Sequence, residues 1–170
     1  MAKPEATLNM ISIEQLETLP FYHRATIPET YLDVMGHMNV RWYLALFDDA
    51  AINFLISLGM TLEYFDTEKS GIFALQQFIQ YLAEVHVGET VAVRTRVLGR
   101  SAKRIHFMHF MINETTGKLA CTLETLSSHA DLTIRRTSPF PTHITDRIDA
   151  ILADHRRLDW EAPLSGAIKA

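Results

Sequence analysis

The stretch from Asp33 to Ala50, DVMGHMNVRWYLALFDDA, combines a carboxylate, a glycine turn and a helix start. Asp33-Val-Met-Gly36 fits a type I turn, where Asp favours the first position and Gly the fourth. Asn39 is a good N-cap, so the turn feeds a helix directly. The first N–H groups of a helix lack intrahelical acceptors and sit at the positive end of its dipole. An acid held beside them suits acyl chemistry: the amides polarise a carbonyl oxygen while the acid attacks the carbonyl or activates water. The turn alone is also a sufficient reason for an Asp at this position. His37 reads either as a base or as a turn hydrogen-bonder. Asn39 reads as the cap, with a substrate or water contact as a second role.

The helix that must carry this turn spans about Val40 to Leu58, with Gly59 just past its end. Val40, Tyr43, Leu44, Phe47, Ala51, Phe54, Leu55 and Leu58 recur at helical spacing. Ala45, Ile52 and Ile56 make the other side apolar too, which predicts a central helix buried all round. Asp48 and Asp49 lie on it, and each needs a partner if buried; exposure is preferred for Asp48. Upstream, Ser12-Ile-Glu-Gln15 fits a capping box for a short helix ending before Pro20, and Phe21 to Pro28 reads as a strand. After Gly71 the period changes to two. Strands are expected over Ile72–Tyr81, Thr90–Leu98, Arg104–Ile112 and Leu119–Arg135. The turn-rich connectors Val87–Glu89, Gly99–Lys103 and Asn113–Lys118 predict neighbouring antiparallel hairpins. Arg104–Ile112 lacks a polar face, so a second subunit is expected to cover it. Thr145 to Leu158 reads as a peripheral amphipathic helix, with Ile148, Ile151, Leu152 and His155 on one side. The fold class is α+β: an antiparallel sheet wrapped around a long central helix, with short peripheral helices.

The totals agree with one domain over residues 1–170: a core of about 20–136, an N-terminal arm 1–19 and a C-terminal extension 137–170. The chain has 170 residues, 48% hydrophobic and 21% charged, with a net charge of −4. This composition argues against wholesale disorder and non-specific nucleic-acid binding. Cys121 is the single cysteine, which leaves no internal disulfide and no cysteine zinc site. Without a secretory signal or an ~18-residue apolar run, the expectation is a cytoplasmic chain with no membrane partner.

Asp33-Val-Met-Gly36-His37-Met-Asn39, followed by Tyr43 and Asp48-Asp49-Ala50, resembles the Asp-x-x-Gly-His-x-Asn signature and helix of the hotdog-fold acyl-CoA thioesterases of the 4-hydroxybenzoyl-CoA type. Strand order and lengths are similar from about Phe21 to Arg136. Two positions depart from that pattern: Tyr31 stands where many relatives carry a further Asp, and Val40 where a second Asn is common. The resemblance implies hydrolysis of an acyl-CoA to free acid and CoA, with Asp33 as nucleophile or general base. It implies that the Val40 backbone amide, seven positions beyond Asp33, is the oxyanion donor, and that Gly36 lets the chain approach the thioester. It implies a homodimer joined sheet edge to sheet edge, sometimes paired again into a tetramer, with sites between subunits. CoA would be substrate or product, so no retained cofactor or metal is expected.

Arg100, Lys103 and Arg104 cluster positive charge in one hairpin, which could meet the phosphates of CoA or simply be solvated; Arg135 and Arg136 are weaker candidates. His106 and His109 lie three apart on a strand, face opposite ways and cannot chelate together. The chain holds no Gly-x-Ser-x-Gly elbow, His-Glu-x-x-His, phosphate loop or Gly-x-Gly-x-x-Gly. Two other readings remain open at this level: a non-catalytic acyl-CoA or acyl-carrier binding module, and an enoyl-CoA hydratase or dehydratase.

Overall fold

A computed structural model describes residues 11–168 of the chain; the arm expected over Met1–Met10 lies outside them. Helix α1 (Ile13–Glu17) starts on the expected capping box: Ser12 Oγ accepts from Gln15 N–H, and the Gln15 side chain accepts from Ser12 N–H. Strand β1 (Phe21–Thr26) leads through a short turn of helix at Glu29–Tyr31 to the Asp33 turn. Central helix α2 (Val40–Ser57) and short helix α3 (Leu62–Thr67) follow. Then come β2 (Ser70–Tyr81), β3 (Thr90–Arg100), β4 (Arg104–Asn113), β5 (Lys118–Asp131), the two-residue β6 (Arg136–Thr137) and helix α4 (Thr142–His155).

The strands form one antiparallel sheet in the order β1-β3-β4-β5-β2, with β6 added to β5. This is the hotdog arrangement, a curled sheet around α2. It corrects one expectation: β2 does not pair with β3 but with β5, from Ser70↔Asp131 to Tyr81↔Cys121. The connector is the longer Leu82–Glu89, which crosses the sheet end beneath the start of α2, where Val85 O accepts from Met38 N–H at 2.7 Å. The slot beside β3 goes to β1.

The inner face packs on α2 through Tyr43, Leu46, Phe47, Ala50 and Phe54. The helix is not buried all round in one protomer. Val40, Leu44, Ile52 and Ile56 are exposed by 44–58%, because the sheet curls over only one side. The outer face of β4 is covered, though by this chain and not by a second copy. Leu16, Leu19 and Trp160 close over Met108, Phe110 and Ile112. Trp160 belongs to a segment after α4 that is pinned from below: the Arg96 guanidinium donates to Trp160 O, and Glu124 Oε2 accepts from Ser165 N–H. Helix α4 docks Ile144, Ile148 and Leu152 against Val97, Ile105 and Phe54. Among the described residues no helix is long and apolar enough to cross a membrane.

Candidate active site

The Asp33 turn is held from both sides. Gly36 N–H donates to Asp33 O (3.1 Å), Asp33 N–H donates to His37 O (3.0 Å), and Leu32 bridges Met38. Gly36 has φ +86°, a left-handed conformation that favours glycine. Asp33 Oδ1 accepts from Met35 N–H at 2.8 Å, so the turn-stabilising role expected of this acid is present. Oδ2 accepts no hydrogen bond among the described residues and lies 3.7 Å from His37 Nδ1. The Asp33 side chain is 17% exposed.

Asn39 starts α2 as expected. Its side chain accepts from Arg41 N–H (3.2 Å) and its carbonyl from Trp42 N–H (2.9 Å). Of the first three helical amides, the cap therefore engages two and leaves that of Val40. Val40 opens onto a cleft of about 270 Å³ between α2 and β2, lined also by Leu44, Gln77, Ile79, Tyr81 and Leu123. A second hollow of about 120 Å³ continues from it, sharing Leu44, Gln77 and Leu123 and reaching Phe47, Asp48, Phe107, His109 and Thr125. Tyr31, at the position where the resemblance leads one to expect a further acid, stacks flat on Trp42 with centroids 3.7 Å apart. Its ring braces the helix start, a packing role in place of a charge.

Two neighbours escape the sequence reading. Glu84 Oε1 lies 3.9 Å from His37 Nε2, and Glu84 Oε2 lies 3.7 Å from His86 Nε2. His86 Nδ1 in turn lies 3.4 Å from Gly36 O. Carboxylate and imidazole thus alternate from Asp33 through His37 and Glu84 to His86. The available signal was Glu84-x-His86 in a connector with few other charges, but only the crossover of that connector brings it to the turn. Asp48 and Asp49 are both exposed; Asp48 borders the inner hollow and Asp49 faces His23 at 3.8 Å.

The positive hairpin lies elsewhere. The Asp33 turn sits beside Val85 and so beside the start of β3, whereas Arg100, Lys103 and Arg104 lie at its far end, about 33 Å along the strand. Arg100 is also committed within the chain: its Nε donates to Asp149 Oδ1 at 2.6 Å and its Nη2 to Oδ2, a two-pronged pair with α4. In the chain alone, a carboxylate thus occupies the Arg100 fork. Lys103 Nζ reaches Thr137 O at 3.4 Å, and Arg104 is exposed.

The curled antiparallel sheet around a capped central helix is a hotdog fold, and sequence likeness gives the class of protein, a thioesterase. Residues 28–148 match the family model of the thioesterase-like superfamily, and the chain belongs to that family. It is similar to the betainyl-CoA thioesterase of Pseudomonas aeruginosa, 29% identical over 142 residues, spanning 84% of this chain and 89% of that protein. It also matches the L-carnitine dehydrogenase/betainyl-CoA thioesterase of Agrobacterium fabrum, 31% identical over 84% of this chain but only 28% of that longer protein. Among solved structures, a Staphylococcus aureus protein in complex with CoA superposes with a TM-score of 0.80 at 24% identity, covering 89% of this chain and 96% of that one. The 1,4-dihydroxy-2-naphthoyl-CoA thioesterase of Synechocystis gives 0.68 at 18% identity, over 76% and 95%. Both of these likenesses are of fold.

Proposed function

We propose that this protein hydrolyses an acyl-CoA thioester with Asp33 as the acting carboxylate and the Val40 amide as the oxyanion donor. The thioester carbonyl lies at the cleft mouth with its oxygen on Val40 N–H. Asp33 either attacks the carbonyl carbon, expelling CoA thiolate and leaving an acyl anhydride that water opens, or takes the proton from a water that attacks directly. Both routes consume one water and end in free acid and CoA. The observation that carries this reading is the paired geometry of turn and helix: one Asp33 oxygen is tied to Met35 N–H and the other is left without a donor, while Asn39 engages the amides of Arg41 and Trp42 and leaves that of Val40, a residue that lines the cleft.

The active unit in this reading is a homodimer joined along β2. That strand is a sheet edge of twelve residues, and it leaves Phe73, Leu75, Phe78 and Tyr81 exposed. Antiparallel pairing of two such edges about a twofold axis sets the Lys103–Arg104 end of one protomer beside the Asp33 end of the other. Phosphate contacts from those two residues then become available without Arg100.

The relatives make betainyl-CoA the first substrate to assay, followed by short, long and aromatic acyl-CoAs. Asp33→Asn removes the reacting charge and keeps the shape. The expected result is retained thioester binding with turnover lowered about 10²–10⁴-fold. Wild-type turnover in that variant excludes Asp33 from the mechanism. Saturable binding by the wild type with no thiol released favours the non-catalytic binding module.

A further inference from the structure

The inner hollow that continues from the Val40 cleft carries two polar atoms with no partner. His109 is 1% exposed and Thr125 3%. His109 Nε2 and Thr125 Oγ1 make no hydrogen bond among the described residues, and both residues line the hollow. Buried polar atoms in native proteins almost always have partners, so two on one small cavity call for a cause. Neither atom has a folding role to explain it. His109 is already positioned by its other nitrogen, since Nδ1 and Thr95 Oγ1 lie 2.7 Å apart, and by its stack on Phe47 with centroids 5.8 Å apart. An apolar residue would fill either position at lower cost if packing were the only demand.

Burial pushes the His109 imidazole down to about 3, so the ring is neutral near pH 7. A neutral ring offers one donor or one acceptor at Nε2, whichever Thr95 does not claim at Nδ1. Thr125 Oγ1 can do either. Asp48 borders the same hollow and contributes an acceptor on the side of the helix. Between these groups the walls are largely apolar, with Phe47, Phe107 and Leu123, and carry the polar side chains of Gln77 and Ser127 at their border.

We propose that this hollow is the subsite for the far end of the acyl group, and that it selects an acyl chain ending in a hydrogen-bonding hydroxyl or amine, read by His109 Nε2 and Thr125 Oγ1. The inference rests on the thioesterase reading above, because that reading fixes the carbonyl at Val40. The level of His109 on α2, set by its stack on Phe47, is about 10 Å along the helix from Val40. The selected chain is therefore of medium length, with apolar methylenes beside Leu44 and a polar tip. A site that hydrogen-bonds its ligand rejects the analogue lacking that group far more strongly than an apolar pocket rejects an extra methylene.

The test uses four thioesters, ω-hydroxyhexanoyl-CoA, ω-aminohexanoyl-CoA, hexanoyl-CoA and betainyl-CoA, with the wild type and the variants Thr125→Val and His109→Phe. The expected result is a wild-type kcat/KM for a polar-tipped thioester higher than for hexanoyl-CoA by about tenfold or more. Thr125→Val should erase most of that preference while melting no lower than the wild type, since it removes an unpaired buried hydroxyl. A merely structural Thr125 would show the opposite, a lower Tm and an unchanged preference. His109→Phe should act in the same direction. It also breaks the Thr95 contact, so Thr125→Val is the deciding variant. The hydroxyl and amine arms tell which tip is preferred. Equal turnover of hexanoyl-CoA, or a preference for betainyl-CoA that neither variant changes, overturns the inference while leaving the thioesterase intact. Release of thiol from long or aromatic acyl-CoAs but from none of the four also overturns the inference, whereas release from no acyl-CoA at all sinks the thioesterase reading instead. The same ranking is then read by calorimetric binding to the Asp33→Asn protein, where equal affinities overturn the inference on their own.

Discussion

At the scale of single residues, the chemistry divides between groups the fold exposes and groups it silences. Asp33 keeps one oxygen free of any hydrogen bond among the described residues, 3.7 Å from His37 Nδ1. Cys121 is the opposite case. It is fully buried on the inner face of β5, and burial pushes its thiol well above the ordinary value. A thiol held protonated and out of solvent is inert. The native protein should therefore give no titre with a thiol reagent, rising to one per chain on denaturation. This can be checked spectrophotometrically, and it means that thiol released in an activity assay reports CoA alone. The acidic turn, the Asn39 cap and the position of Val40 were all legible in the chain, because each is a local rule acting within a few residues. Glu84, His86 and the unpaired atoms of His109 and Thr125 were not. They join the site only through strand crossings or burial, which no local pattern encodes.

At the scale of elements, the central helix and five strands were readable from periodicity, while their neighbours were not. The apolar pattern of β4 states a demand for cover on both faces without saying which segment supplies it. The supplier of the outer cover is the short helix with Leu16 and the segment carrying Trp160. In the same way, the apolar back of α2 was read as buried, and one curled sheet does not reach it. The segment after α4 rests on a buried pair, Glu124 Oε1 and His106 Nε2 at 2.8 Å, with Glu124 Oε2 taking Ser165 N–H at 2.7 Å. Burial raises the Glu124 carboxyl, but the bonds from His106 and Ser165 outweigh it and leave it below its ordinary value. A carboxyl depressed by folding contributes stability that is complete above its unfolded value and is lost as pH falls through the lowered one. Acid should thus loosen this segment first. Glu124→Gln should flatten the acid limb of Tm against pH and expose the Trp160 ring to quenchers at neutral pH. An unchanged acid limb would show that the pair carries none of that dependence.

At the scale of the whole molecule, two apolar strips are exposed: the β2 edge with Phe73, Leu75 and Phe78, and a line of α2 with Leu44, Ile52 and Ile56. A long unpaired edge of this kind invites strand addition unless a partner occupies it. The proposed dimer pairs the β2 edge, and it predicts that Phe78→Asp yields a monomer with most turnover lost. Sedimentation velocity beside a thiol-release assay would check both halves. A wild type that is monomeric and fully active at assay concentration would remove the second subunit from the catalytic unit.

The outer cover has a practical corollary. Because α1 and the Trp160 segment lie on the side of the sheet away from α2, the exposed Glu17 and Glu161 offer anchoring points on the molecule's back. Coupling to a solid support through either one would orient every copy with its mouth toward the liquid.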